Sequence, residues 1–200
     1  LSLSGNVAAV TVTLQHNYGL HPDVMIDDLA ELGFIEIVAT DSDGDQVAGT
    51  INISVSDDVP SISALSLPAG LLTVDETDLA QNATANFASL FNIGIGADQD
   101  GSSVSYSFEV TTASGLVDVA TGSKIILQAV GNTVEGRLQD SLSTIAFRLT
   151  VADNGQATLD QIRAVRHPDA SNPDDPVTLS PFLIRMTATV TDGDGDQASA

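Results

Sequence analysis

The chain of 200 residues contains no cysteine and no tryptophan, and its aromatic content is only 4%. The absence of cysteine excludes disulfides, thiolate metal sites and cysteine nucleophiles. The scarcity of aromatic side chains predicts a core built from valine, isoleucine, leucine and alanine, which suits the hydrophobic content of 42%. No run of about 20 apolar residues is present, so the sequence predicts no membrane insertion by a helix.

Basic residues are also scarce, because six Lys and Arg stand against 27 Asp and Glu, for a formal net charge of −21. A chain of this charge should be repelled by nucleic acid and by anionic lipid headgroups, so the expected partners are cations and neutral or basic surfaces. All six basic residues lie between Lys124 and Arg185, and the first 59 residues contain none.

Catalytic motifs are missing as well. The three histidines, His16, His21 and His167, are not clustered as zinc ligands would be, and neither HExxH nor GxSxG occurs. Paired carboxylates could indicate a glycosidase, but such an enzyme also needs an aromatic platform for the sugar. The sequence therefore predicts that the protein is not an enzyme.

Alternation of apolar and polar residues with a period of two is the strongest structural signal. It is clearest in Val104–Val110, Ile145–Val151 and Ile184–Val190. The same period or a β-rich composition predicts further strands at Ala8–Leu14, Phe34–Val38, Ile51–Val55, Ile62–Ser66, Lys124–Val130 and Thr133–Arg137. Turn residues separate the strands at Gly131-Asn132, Asn154-Gly155 and Asp169–Pro176. The prediction is an all-β antiparallel sandwich with at most two short helices, at Ile26–Leu32 and Asp78–Phe91.

The chain repeats itself over a long period. TDSDGDQ begins at Thr40 and TDGDGDQ begins at Thr191, a separation of 151 residues (191 minus 40). Upstream, the His-Pro-Asp triplet at His21 matches that at His167, at a separation of 146 residues (167 minus 21). This order predicts tandem repeats, with 1–59 as the C-terminal part of one repeat and 60–200 as a nearly complete second repeat.

The repeated phrase places three aspartates at alternate positions of a predicted hairpin loop. Three carboxylates this close repel one another unless a cation lies among them, and an irregular shell of oxygen ligands suits Ca²⁺ better than Mg²⁺. The EF-hand pattern is not matched, and a solvated turn remains the alternative, because Asp and Gly are common turn residues. The candidate calcium ligands are Asp41, Asp43 and Asp45 in the first loop, Asp192, Asp194 and Asp196 in the second, and Asp98 and Asp100 in a shorter loop.

A further acidic cluster lies close to Pro60, where the two predicted repeats meet. It comprises Asp57 and Asp58 before the proline, and Asp75 and Glu76 after it. A cation bound there would hold neighbouring repeats at a fixed angle, whereas an ordinary polar linker would bind none.

Several phrases of the sequence together resemble a known class of repeat. VEGRLQD from Val134, AFRLTVA from Ala146, AVRHPD from Ala164, NPDD from Asn172 and VTDGDGDQ from Val190 occur in this order, and SDDVP at Ser56–Pro60 resembles a repeat junction. The chain thereby resembles the long repeats of giant RTX-type bacterial adhesins, which are exported by type I secretion. The resemblance implies Ig-like β-sandwich modules that are stiffened by Ca²⁺ and hold an adhesive tip away from the cell.

These features lead to one functional expectation and one alternative. The expectation is a calcium-stabilised extender repeat of a secreted, cell-surface adhesin of the kind that acts in cell adhesion and biofilms, with neighbouring repeats as its partners. Host or biofilm ligands would then be bound by other domains. The alternative is a Ca²⁺-dependent module that itself binds a glycan or a peptide.

Overall fold

A computed structural model of the chain describes residues 2–4, 7–16, 29–66, 71–169, 171–172 and 175–200. These residues form β-strands joined by turns, with one short 3-10 segment, Ala88–Leu90. The strands are β1 (Ser2–Ser4), β2 (Val7–Ala9), β3 (Leu29–Thr40), β4 (Gln46–Ser56), β5 (Ser61–Ala64), β6 (Ala83–Asn86), β7 (Phe91–Gly94), β8 (Ser103–Val110), β9 (Ala113–Val117), β10 (Lys124–Val130), β11 (Thr133–Leu138), β12 (Ser141–Val151), β13 (Gln156–Gln161), β14 (Ile184–Thr191) and β15 (Gln197–Ser199). Within this part of the chain, no helix is long and apolar enough to cross a membrane.

The described chain divides into two compact units. The first unit comprises Leu1–Pro60 together with two later segments, Ile95–Ser102 and Thr191–Ala198. The second unit comprises Ser61–Gly94 and Ser103–Val190, with the last two residues of the chain. Segments that are far apart in the sequence therefore fold together in the first unit.

The second unit is a sandwich of antiparallel sheets. Its largest sheet has six strands in the order β6-β13-β12-β11-β10-β9. Strand β8 pairs with β14 in another sheet, and it packs against β10 and β11 of the larger one. The core between them contains fully buried Val134, Val151 and Ala157, with Phe108 and Phe147 nearby. The prediction of an all-β antiparallel sandwich is confirmed.

In the first unit, the described strands before residue 60 form two hairpins, β1–β2 and β3–β4. Strand β3 has 12 residues and β4 has 11, and they pair along their whole length around a bulge at Gly33. The first His-Pro-Asp triplet, which begins at His21, lies outside the described residues.

Two of the predicted turns, at Gly131-Asn132 and Asn154-Gly155, are present. Gly131-Asn132 joins β10 to β11, and Gly131 has a φ of 60°, a left-handed conformation in which glycine is not strained. Asn154 accepts a hydrogen bond from the backbone N–H of Gln156 (3.0 Å), and Gly155, with φ 77°, completes the turn before β13.

The two predicted helices are wrong within the described residues. Asp78–Phe91 contains turns, β6 and the 3-10 segment, and it ends in the first residue of β7. The side chain of Asp78 accepts the backbone N–H of Ala80 (3.0 Å) and that of Asn86 accepts the N–H of Ala88 (3.0 Å), so both make local turns instead of capping a helix. Of Ile26–Leu32, the residues from Leu29 onward belong to β3.

One predicted strand is shorter than expected. The prediction of a strand over Ala8–Leu14 is correct only at its start, because β2 ends at Ala9. Residues 10–14 lie outside any sheet, and Val12 and Leu14 are about half exposed, at 49% and 48%.

Candidate metal centre

The hairpin between β14 and β15 presents the second triple of aspartates. Asp192 closes the loop: its N–H donates to the carbonyl oxygen of Asp196 (3.0 Å), and its Oδ1 accepts the N–H groups of Asp196 (2.8 Å) and Gly195 (3.2 Å). Gly195 has a φ of 113°, which strongly favours glycine. One oxygen of Asp192 thus builds the loop, while Oδ2 is buried and accepts no hydrogen bond from the described residues.

Three carboxylates converge at this loop from two distant parts of the sequence. Oxygen atoms of Asp57, Asp194 and Asp196 all lie within 4.8 Å of one another. Asp57 directly follows β4, whereas the other two belong to the hairpin loop. Asp196 is fully buried, and Asp57 and Asp194 are half-buried. We call these three residues the carboxylate cluster.

The segment Ile95–Ser102 is held against both parts of the cluster. The carbonyl oxygen of Asp98 accepts the N–H of Gly193 (2.7 Å), and Asp58 Oδ2 accepts the N–H of Ala97 (3.0 Å). Gly96, with φ 85°, lies so close to Asp58 that a Cβ atom would stand 2.9 Å from its Cγ. A glycine is therefore required where the loop meets this carboxylate.

The electrostatics of the loops indicate unfavourable concentration of negative charge. Burial raises the pKa of Asp98, and the nearby charges of Asp58, Asp192 and Asp57 raise it further. Burial also raises the pKa of Asp192, with an added contribution from its contact with Asp194. No lysine or arginine occurs in the sequence of the first unit, because all six lie between 124 and 185 and outside its segments. Balancing charge within this unit must therefore come from a bound cation or from protons.

The first triple of aspartates has the same backbone geometry in a different environment. The N–H of Asp41 donates to the carbonyl oxygen of Asp45 (3.0 Å), and Asp41 Oδ1 accepts the N–H of Asp45 (2.9 Å). Oxygen atoms of Asp41, Asp43 and Asp45 lie within 4.8 Å of one another, but all three side chains are exposed. Hydrogen bonding to the side chain of Asp43 and to backbone N–H groups lowers the pKa of Asp41. The same aspartate pattern thus forms an exposed loop after β3 and a largely buried loop after β14.

The remaining predicted ligands have other surroundings. Asp100 is exposed in the turn that ends the 95–102 segment. In the second unit, Asp75 Oδ1 accepts the N–H of Thr77 (2.8 Å), which lowers the pKa of Asp75. Glu76 accepts the N–H of Val165 (2.7 Å) and a side-chain N–H of Gln161 (2.5 Å). These contacts give Asp75 and Glu76 structural roles within the sandwich.

A cavity of about 490 Å³ opens beside the cluster within the first unit. Asp57, Asp58 and Asp98 line its acidic side, and Leu14, His16 and Val55 line the other. Neither His16 nor Gly96 lies in a sequence motif that predicts a role for it. The sequence did predict Asp57, Asp58 and Asp98 as acidic candidates, but it did not show that the loop at Gly96 meets Asp58.

Comparison with known protein families matches residues 71–200, more than half of the chain, to a family described as Domain of unknown function (DUF5801). Searches of the curated proteins and of the solved structures gave no match. The matched range covers the 95–102 segment and the second aspartate loop, whereas Asp57 and Asp58 lie before it.

Proposed function

The chain belongs to the DUF5801 family, and we propose that it is a calcium-stabilised structural repeat. The carboxylate cluster, joined by Asp98 and Asp192, would hold the ion. Bound Ca²⁺ supplies positive charge that neutralises these carboxylates and ties their segments together.

The single observation that carries the proposal is the convergence of Asp57, Asp194 and Asp196. Surface acids usually separate from one another in solvent, yet these three approach within 4.8 Å and Asp196 is fully buried. Burying a carboxylate beside other carboxylates is costly unless a cation is present. The buried Oδ2 of Asp192, which accepts no hydrogen bond from the part of the chain that the structure describes, adds a further oxygen of the same kind.

The nature of the donors favours Ca²⁺ among common metals. Carboxylate oxygens are hard ligands, and no cysteine is present to favour zinc or copper. Ca²⁺ accepts six to eight oxygens in an irregular arrangement, which suits carboxylates from three separate segments. Mg²⁺ demands a near-ideal octahedron and retains several waters, so it fits a crowded cluster less well.

Calcium at this cluster would be structural in effect. Asp57, Asp98 and Asp194 come from parts of the chain that are up to 137 residues apart (194 minus 57). A ligand that binds only the folded arrangement stabilises it by mass action, by about 2.7 kcal/mol at a hundredfold excess over Kd. Extracellular calcium modules typically have Kd values of about 10⁻⁴ to 10⁻³ M, so such sites fill outside the cell.

The wider setting that we propose is a secreted RTX-type adhesin, in which modules of this kind act as spacers at the bacterial surface. Support comes from the ordered phrases of the sequence, the all-β sandwich and the repeated hairpin. The neighbouring repeats of the same chain would be its partners. The alternative, a Ca²⁺-dependent glycan- or peptide-binding module, needs an ion that a ligand can reach, and the complete burial of Asp196 favours a structural ion instead.

Calorimetric titration of the whole chain with CaCl₂ tests the proposal. We expect saturable binding that is lost in the double variant Asp194→Asn, Asp196→Asn and retained in the matched double variant Asp43→Asn, Asp45→Asn. Titration with MgCl₂ should give weaker binding. Equal loss of binding in both double variants would mean that the cluster is not the principal site. A melting temperature unmoved by millimolar Ca²⁺ would contradict the structural role.

A further inference from the structure

The hairpin β3–β4 carries an apolar face that the described residues cover only in part. Cross-strand pairs such as Ile35 with Ile51 and Ala39 with Val47 place their side chains on one side of the hairpin, together with Ile37. Val47 is 69% exposed and Ile51 is 43% exposed, whereas Ile35 and Ile37 are half-buried. We call this side, formed by the residues Ile35, Ile37, Ala39, Val47 and Ile51, the inner face.

The second hairpin, β14–β15, is the sequence counterpart of the first. The shift of 151 residues that aligns Thr40 with Thr191 also aligns Ile37 with Ala188 and Ala39 with Val190. The two loops share their backbone hydrogen bonds, and in each the Gln that follows the loop donates to the Thr that precedes it, at 3.1 and 3.2 Å. The two hairpins are therefore equivalent in structure as well as in sequence.

The second unit shows how the apolar residues of β14 are covered. Ala188 and Val190 are fully buried, and Met186 packs against the core of the sandwich. Strand β14 also has neighbours on both edges, in the order β15-β14-β8. Among the described residues, β3 pairs only with β4. Within the described ranges, the first hairpin has neither a strand like β8 beside β3 nor a facing sheet like the one that covers the second hairpin.

We propose that the inner face of β3–β4 is the docking surface for another sandwich of this same family, of which β3–β4 is the closing hairpin. The occupant would place a strand equivalent to β8 along β3 and a sheet equivalent to β10–β11 over Ile35, Ile37 and Ala39. Uncovered apolar sheet faces with an open edge are prone to non-specific pairing, which gives a physical reason for such a cover. The inference does not depend on bound calcium.

The test adds the missing sandwich to the intact chain. A second copy of residues 61–146 is fused before Leu1, because the separation of 146 residues makes Leu1 the counterpart of Phe147. Amide hydrogen exchange is measured in EGTA for this extended chain and for the original chain. We expect exchange in β3 to slow by at least about a hundredfold in the extended chain, since covered core strands open far less often than exposed hairpins.

A pair of neighbouring substitutions provides the control. Ile37→Thr lies on the inner face and Val38→Thr lies on the opposite face, where the counterpart is already a threonine, Thr189. In the extended chain, Ile37→Thr should lower the melting temperature clearly more than Val38→Thr, and this difference should be smaller in the original chain, where Ile37 is only half-buried. Equal effects in the extended chain, or unchanged exchange in β3, would overturn the proposal.

A different occupant would also be detected. Sedimentation of the original chain should show a monomer at micromolar concentration. A dimer that Ile37→Thr dissociates and Val38→Thr does not would show that a second molecule covers the face, and it would refute the assignment to a preceding sandwich. Because every arm is performed in EGTA, failure here is distinguishable from failure of the proposed calcium binding.

Discussion

Replacing Asp196 by asparagine should change the stability of the protein in opposite directions with and without calcium. The carboxylates of Asp57 and Asp194 lie within 4.8 Å of that of Asp196. Two unit charges at this separation repel by about 3.5 kcal/mol at an effective dielectric constant of about 20. Screening by salt reduces this value, so we expect Asp196→Asn to stabilise the calcium-free protein by about 1 to 2 kcal/mol.

In calcium the sign should reverse, because the substitution removes a buried ligand. Wild-type protein gains about 2.7 kcal/mol when free Ca²⁺ exceeds Kd a hundredfold, and a variant whose affinity falls by that factor gains almost none of it. For a chain of this size, 1 kcal/mol corresponds to a change of about 2 to 4 °C in melting temperature. The variant should therefore melt about 2 to 8 °C above wild type in EGTA, and below it in calcium.

Differential scanning calorimetry in EGTA and in 10-fold steps of CaCl₂ measures both effects on one pair of proteins. Asp43→Asn is the matched control, because Asp43 occupies the equivalent hairpin loop but its side chain is exposed. Its melting temperature should follow that of wild type under both conditions. If Asp196→Asn destabilised the protein equally in EGTA and in calcium, the carboxylates would not be repelling one another, and the electrostatic reasoning would be wrong.

Three further outcomes follow from the packing. Gly96→Ala should weaken calcium binding by roughly tenfold in a titration while leaving the sandwich folded. The reason is that the added Cβ meets the carboxylate of Asp58 and that φ at this residue is 85°. Unchanged affinity would show that this loop does not position the site. Asp118→Asn should cost about 3 kcal/mol at neutral pH in urea unfolding, since Asp118 is fully buried and accepts two hydrogen bonds from Arg163, at 2.8 and 3.0 Å. Arg163 holds the pKa of Asp118 well below its usual value of 3.8, so the stability that the ion pair contributes is present above pH 3.8 and is lost as the pH falls toward the lowered pKa. A difference in unfolding free energy between variant and wild type that stayed constant at acid pH would contradict the ion pair. Val151→Ala should lower stability by about 2 kcal/mol by leaving a cavity in the core, and a near-zero change in the urea midpoint would mean that the two sheets close over it.

Strand prediction succeeded where one face of a strand is buried. Val104–Val110, Ile145–Val151 and Ile184–Val190 all lie within observed strands, because alternation records directly which side chains meet the core. The prediction of a helix failed at Asp78–Phe91, where apolar residues happened to fall at helical spacing. There, Asp and Asn side chains bond to the backbone two residues on and terminate any helix before it forms.

The candidate site was predicted as a set of twelve acidic residues, among which the two repeated aspartate loops were the favoured metal ligands. Sequence could identify the two aspartate loops as equivalent, and their backbone hydrogen bonds are indeed the same. It could not show that one loop would be buried and the other exposed, because burial depends on which distant segments pack there.

The sequence by itself determined the all-β class, the positions of most strands and turns, the repeated aspartate hairpin and the absence of basic residues from the first 59 positions. Each of these depends on residue type and short-range spacing. Only the tertiary structure decided that Asp57 meets Asp194 and Asp196, that Gly96 must accommodate Asp58, and that the described residues cover the inner face of β3–β4 only in part. The physical reason is that a carboxylate's pKa and its suitability for a cation depend on the charges and solvent around it, and chain segments more than a hundred residues apart supply those surroundings.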